Sequence, residues 1–153
     1  MIIYLRQKDI DMKKLFMLAL AFVLCACGGS TVATGTHEQI FTDKNGVEQS
    51  VTVAVELEDG KITKVEIDET YDVNGEKTTK KTLGADYGMT VASPIGKDWF
   101  EQIAHLEETL VGTDGTIELD EAGYATNEDV KAGCTINLGT IAEAVKAAVT
   151  NAK

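Results

Sequence analysis

Gln49-Ser50-Val51-Thr52-Val53-Ala54-Val55-Glu56-Leu57-Glu58-Asp59-Gly60-Lys61-Ile62-Thr63-Lys64-Val65-Glu66-Ile67-Asp68-Glu69-Thr70-Tyr71 decides the fold. Val51, Val53, Val55 and Leu57 alternate with Thr52, Ala54 and Glu56, the two-residue period of a strand with one buried face. Asp59-Gly60 is a tight-turn signal, and Ile62, Val65 and Ile67 bring the chain back as an antiparallel strand ending near Tyr71. A sheet that opens with a hairpin follows from these 23 residues alone.

Upstream, Ile40 to Asp43 reads as a short strand, and downstream Asn74-Gly75 supplies another turn. Lys77 to Lys81 is the dense basic stretch that comes next. Ser93-Pro94 reads as a helix N-cap with Pro in the first turn, although Gly96 and Asp98 allow a start one turn later. Trp99, Ile103, Leu106 and Leu110 then recur at helical spacing, and Gly112 is the stop signal. Thr116 to Leu119 is expected as a short strand and Ala122 to Asn127 as a polar loop. The last helix is expected from Thr140, with Ile141, Ala144, Val145, Ala148 and Val149 on one face. Strands first and helices later predict an α+β domain, an antiparallel sheet packed by about two helices.

Composition agrees with one globular domain. The chain has 153 residues, 44% apolar and 25% charged, with a single Pro and 14 Gly, which excludes collagen-like, coiled-coil and disordered chains. A formal charge of -11 repels phosphate backbones, so a nucleic-acid role is excluded as a leading reading.

The first residues read as an export leader. Lys13-Lys14 precede the uncharged run Leu15 to Leu24, which is too short to span a bilayer. Leu24-Cys25-Ala26-Cys27-Gly28-Gly29-Ser30 follows and resembles the lipobox of bacterial lipoproteins, with Cys27 as the lipidation candidate because bulky Leu24 precedes Cys25. Met12 is the expected initiator, and Met1 to Asp11 an upstream over-extension or a long n-region. The expected organisation is a signal peptide over 1–27, a flexible Gly- and Thr-rich linker over 28–36 and a domain over 37–153. Removing 1–27 takes away Arg6, Lys8, Lys13, Lys14, Asp9 and Asp11, leaving the exported part at -13 with Cys134 as its single thiol. An intradomain disulfide is thereby excluded. The resemblance implies acyl chains that hold the domain on the extracytoplasmic face of a membrane.

One segment suggests chemistry. Asp129-Val130-Lys131-Ala132-Gly133-Cys134-Thr135 resembles the flavin-binding segment of the FMN-binding domain family, which includes small bacterial lipoproteins and the C subunit of the sodium-pumping NADH:quinone reductase. In that family an Asp is followed, after two residues, by Ser or Thr, then Gly, Ala and an acceptor Thr. Asp129, Gly133 and Thr135 match; Ala132 and Cys134 depart from the pattern. The resemblance implies FMN, carried noncovalently or through a phosphoester on Thr135 made by a flavin transferase. It also implies electron transfer from a membrane redox partner, with no substrate pocket of the chain's own. A Gly beside the acceptor would let the backbone approach a phosphate, and small residues at 132–134 would leave room for the ribityl chain. Tyr87, Met89 and Trp99 are candidates to border the ring, Trp99 being at the same time a core residue of its helix. The alternative of a different class is a flavin-free binding or interaction module on the same fold.

Other chemistries lack support. His37 and His105 stand alone, no Cys/His spacing suits zinc, and Ser50 and Ser93 have no nucleophile-elbow context. The acidic runs Glu56 to Asp59 and Asp114 to Glu121 lack the oxygen spacing of a calcium loop and read as solvated faces. Cys134, beside apolar residues, is expected to act as a small hydrophobe.

Overall fold

The computed structural model describes residues 30–73 and 75–153. The signal peptide, the lipidation candidate Cys27, Gly28-Gly29 and Asn74 of the expected turn lie outside the described residues. Four strands, β1 (Val32–Thr42), β2 (Glu48–Glu58), β3 (Lys61–Val73) and β4 (Glu76–Thr79), form one antiparallel sheet in the order β1-β2-β3-β4. Four helices follow: α1 (Lys80–Leu83), α2 (Trp99–Leu110), α3 (Glu128–Lys131) and α4 (Gly139–Asn151), with a 3₁₀ turn over Gly84–Tyr87. The class is α+β.

The β2–β3 hairpin forms as its alternation predicts. Val51, Val53, Val55 and Leu57 of β2 and Ile62, Val65 and Ile67 of β3 are all buried on one face. Asp59 and Gly60 both take positive φ (51° and 77°), the twist that joins antiparallel strands in two residues. A register shift between Glu56 and Leu57 passes over Thr63, which is why Ile62 and Val65, three apart, share the inner face. α4 lies over β1 and β2 and α2 over β3, so one side of the sheet carries the core and the other meets solvent. The five apolar α4 positions expected inward are all buried, as are Trp99, Ile103, Leu106 and Leu110 of α2.

Three expectations need correction. Val32 to Thr36, expected inside a flexible linker, are the first half of β1, paired from Val32–Glu58 through Thr36–Ala54. Gly35 explains why small residues stand there: a Cβ on it would overlap the Ala148 carbonyl and lie 2.7 Å from the Ala152 nitrogen and 2.8 Å from the Ala152 Cβ. The glycine admits the end of α4 onto the sheet. The second correction concerns α2, which begins at Trp99 rather than at Pro94; Ser93 to Lys97 close a turn instead, with the Lys97 amide donating to Ser93 Oγ at 3.2 Å. Asp98 is the N-cap, and its amide donates to the Glu101 carboxylate at 2.8 Å. Third, Thr116 to Leu119 forms no strand; Leu119 makes one isolated bridge to Ala125.

Gly35→Ala is expected to lower the unfolding free energy by about 1–3 kcal/mol, because all three obstructing atoms are backbone or directly attached to it and α4 must shift. Urea denaturation of the variant beside wild type measures the loss.

Candidate functional site

Both long helices start at the same end of the sheet. Trp99 opens α2 and Gly139 opens α4, near the end of β1 that holds Phe41. There the inner face of the sheet is no longer roofed by the middles of the helices, and an open hollow of about 300 Å³ remains. Phe41, Tyr87, Trp99, Met89, Ile136 and Ile141 supply its apolar walls, and Glu69, Lys80, Asn137 and Thr140 its polar groups. The volume is at the lower bound of small-molecule sites, about 300 Å³. A smaller depression of about 140 Å³ on the outer face, between Thr34, Ala54 and Lys64, has no aromatic wall.

Lys80 is the cation of the hollow. Its Nζ lies 2.6 Å from Glu69 Oε1, with both side chains nearly buried, and sits 5.0 Å and 5.3 Å from the ring centroids of Tyr87 and Trp99. Tyr87 is held edge-on by Tyr71 at 5.0 Å. Burial raises the Glu69 carboxyl above its ordinary range, an effect that the neighbouring ammonium opposes. The next residue, Lys81, reaches Glu107 of α2 at 2.6 Å, and Glu107 also accepts the Ile67 amide, so α1 is fastened to both β3 and α2. The basic stretch read from the sequence therefore places Lys80 and Lys81 in ion pairs, Lys80 facing the hollow, while Lys77 donates to the Glu48 carbonyl.

The expected flavin segment runs along the side of this site. Asp129 is an exposed residue of α3, and its carbonyl accepts the His105 Nε2–H at 2.8 Å. Ala132 is exposed. Gly133 packs against the His105 ring, since a Cβ there would overlap the ring and lie 2.7 Å from Nδ1; its missing side chain makes room for an imidazole. Cys134 is buried, and loss of solvent pushes its thiol up to about 11, so it stays protonated near neutral pH. Thr135 is half-buried and does not border the hollow; the residues after it, Ile136 and Asn137, do. The structure thus brings Tyr87, Met89 and Trp99 together around one hollow and leaves Asp129, Ala132, Gly133 and Cys134 outside it.

Sequence reasoning missed Gln102. Its carboxamide is fully buried, and Oε1 accepts the Thr135 amide at 2.8 Å and the Thr135 hydroxyl at 3.2 Å. Nε2 donates to Ser93 Oγ at 3.1 Å and to the Lys97 carbonyl at 3.0 Å. One side chain joins α2, the turn before it and the segment before α4. The polar position on the buried face of α2 is the signal that marks it, because an amide there must find partners. Asp98 performs a similar task on the other wall, accepting the amides of Met89 and Thr90, each at 2.9 Å. Hydrogen bonds from the Thr90 side chain and these amides hold its carboxyl below the ordinary range.

No protein-family model matches the chain, and no curated protein or solved structure does either.

Gln102→Leu leaves the Thr135 amide and the Lys97 carbonyl without their partner, and a loss of roughly 1–3 kcal/mol per orphaned group is expected in chemical denaturation. Asp98→Asn carries a pH signature. A carboxyl whose folded pKa is depressed stabilises above its unfolded value of 3.8 and loses that contribution as pH falls through the folded one. The thermal midpoint of the variant should lie below that of wild type near neutral pH, and the gap should close as the pH falls below about 4, as read by melts across pH.

Proposed function

We propose that the chain is an exported, lipid-anchored flavoprotein domain that carries electrons, its isoalloxazine ring seated in the hollow between Tyr87, Trp99 and Phe41. Cys27 is the proposed anchor point and Thr135 the proposed attachment point for the phosphate end of FMN. The observation that carries the reading is the meeting of three rings, Met89 and the nearly buried, Glu69-paired Lys80 in one hollow that includes Ile136, next to Thr135.

The residues present suit such a group. A flat, partly apolar ring gains from aromatic and thioether walls, and Tyr87 and Trp99 present both. Lys80 offers an ammonium at the same wall, paired with Glu69, in a domain whose exported part carries -13 in all. The starts of α2 and α4 add the positive ends of two helix dipoles at that side of the molecule. When bound, FMN supplies one- and two-electron transfer. The chain's part is to hold the ring, to keep water from its buried side and to set the local potential through Lys80 and Glu69. Gln102 fixes the segment from which Ile136 and Asn137 enter the wall.

A second reading, the flavin-free interaction module, is favoured by the hydrogen bond of the Thr135 hydroxyl to Gln102 and by Gly133, which packs against the His105 ring and does not line the hollow. In that reading the threonine is a structural residue. Esterification of Thr135 requires the hydroxyl to leave Gln102 first.

Protein co-expressed with a flavin transferase is expected to be yellow after denaturation and gel filtration, and Thr135→Ala is expected to lose the colour. Flavin that separates on denaturation assigns the noncovalent form. Protein that is colourless before denaturation and also binds no added FMN would leave the flavin-free module standing.

A further inference from the structure

We propose that β1 is a self-pairing edge, through which two copies of the chain join their sheets antiparallel about a twofold axis at Thr36. The inference stands on the sheet alone and depends on neither the flavin nor the lipid-anchor reading. The two sides of the sheet are built differently. On the β3 side the chain closes its own edge: β4 pairs with the end of β3, the Ile67 amide donates to the Glu107 carboxylate, and Ile62 exchanges bonds with the Thr113 carbonyl and the Gly112 amide, each at 2.8 Å. β1 has no such cover among the described residues. At its ends the Thr31 carbonyl accepts the Asp59 amide and the Asp43 amide donates to the Val47 carbonyl, so the odd-numbered residues bond toward β2. The register between is continuous, and the even-numbered residues from Val32 to Thr42 turn their amides and carbonyls to the open side. Side chains meet two of those carbonyls, Asn151 that of Thr36 at 2.8 Å and Gln39 that of Ile40 at 3.3 Å, and none of the amides among the described residues. Open edges are ordinarily guarded by lysine, proline, a bulge or short length. β1 is 11 residues long with none of these, and Glu38 is its single acid in a chain that is 25% charged.

The strand is complementary to itself read backwards, which is why the occupant is a second copy. An axis at Thr36 sets Ile40 opposite the copy's Val32, Glu38 opposite Thr34, and Thr36 opposite Thr36. Val32 and Ile40, 43% and 58% exposed, are the large apolar side chains that β1 shows to solvent on its outer face, and this axis alone sets one against the other. Thr34 brings a hydroxyl to the Glu38 carboxylate. An axis at Glu38 would oppose two carboxylates directly, and one at His37 would make them diagonal neighbours. Each contact occurs twice, as an isologous interface requires. The Thr36 carbonyl has two lone pairs, so it keeps Asn151 while accepting the copy's amide. The charge of -11 on each copy opposes approach, and physiological salt screens it beyond about 8 Å. The product is one antiparallel sheet of eight strands without an open β1 edge. Phe41, at the rim of the hollow, then stands opposite the copy's Thr31, so each hollow gains the start of the other chain beside it.

Cross-linking reads this register directly. Opposed residues of a hydrogen-bonded antiparallel pair have Cα atoms about 5.5 Å apart, within the span of a disulfide. Cells expressing the full chain with one cysteine added on β1 are broken and oxidised briefly with copper phenanthroline. Dimers are read on non-reducing gels against the wild-type chain, which carries Cys25, Cys27 and Cys134. Thr36→Cys is expected to link to its own copy. Val32→Cys and Ile40→Cys are expected to give no more dimer than wild type when expressed singly, and to link to each other when co-expressed. Adding Ile40→Lys to the Thr36→Cys chain is expected to lower the dimer fraction several-fold, with the circular dichroism of the purified protein unchanged. Absence of linking both at position 36 and in the mixed pair, or equal linking at every position, would overturn the proposal. Linking of the Thr36→Cys chain to a different protein in place of its own copy would also overturn it and assign the edge to a foreign strand.

Discussion

Three segments with little else in common meet at the carboxamide of Gln102. It receives the Thr135 amide and hydroxyl on one side and donates to Ser93 and Lys97 on the other, all from a fully buried position in α2. An amide in an apolar interior is costly unless every donor and acceptor is matched, and here each is. The turn before α2 and the loop before α4 therefore have one permitted spacing. That spacing sets how far Trp99 stands from Ile136 and Thr140, which is to say how wide the hollow is.

Above this tie, charge is paired rather than gathered. The 153-residue chain is acidic at -11, and the hollow end holds Lys80 together with its partner Glu69 beside the starts of the two long helices. The Lys80–Glu69 pair is nearly buried, and a pair of that kind contributes little net stability when desolvation is counted. Its consequence is positional: it pins an ammonium between Tyr87 and Trp99, where the charge acts on whatever ring enters. Glu69 stands directly opposite Val51 in the hairpin, so the polar floor of the hollow and the apolar floor of the core meet on one rung of the sheet.

Much of the fold was legible in the sequence. The alternation of Val51 to Leu57, the Asp59-Gly60 turn and the offsets of Ile141 to Val149 each carry their period on their face, and each forms as read. What was not legible depends on contacts distant in sequence. Val32 to Thr36 look like spacer because small and polar residues also suit a strand that lies under a close-packed helix end, and the deciding neighbours, Ala148 and Ala152, are more than 100 residues away. Gly133 invites a phosphate-approach reading, but the ring it accommodates belongs to His105. The site was legible in part: Tyr87, Met89 and Trp99 were candidates from their chemistry, while Phe41, Glu69, Lys80 and Thr140 come to the hollow only through the sheet and helix packing. Gln102 was hidden by the apolar residues around it in α2, which draw attention to the period and away from the exception.

The account depends on the hollow accepting a flat ring beside Trp99, and the most direct measurement is Trp99 fluorescence during titration with free FMN. Saturable quenching at micromolar flavin, weakened by Tyr87→Ala and by Lys80→Met in protein that remains folded, is the predicted result. Quenching that is absent, or linear and unchanged in both variants, would contradict it.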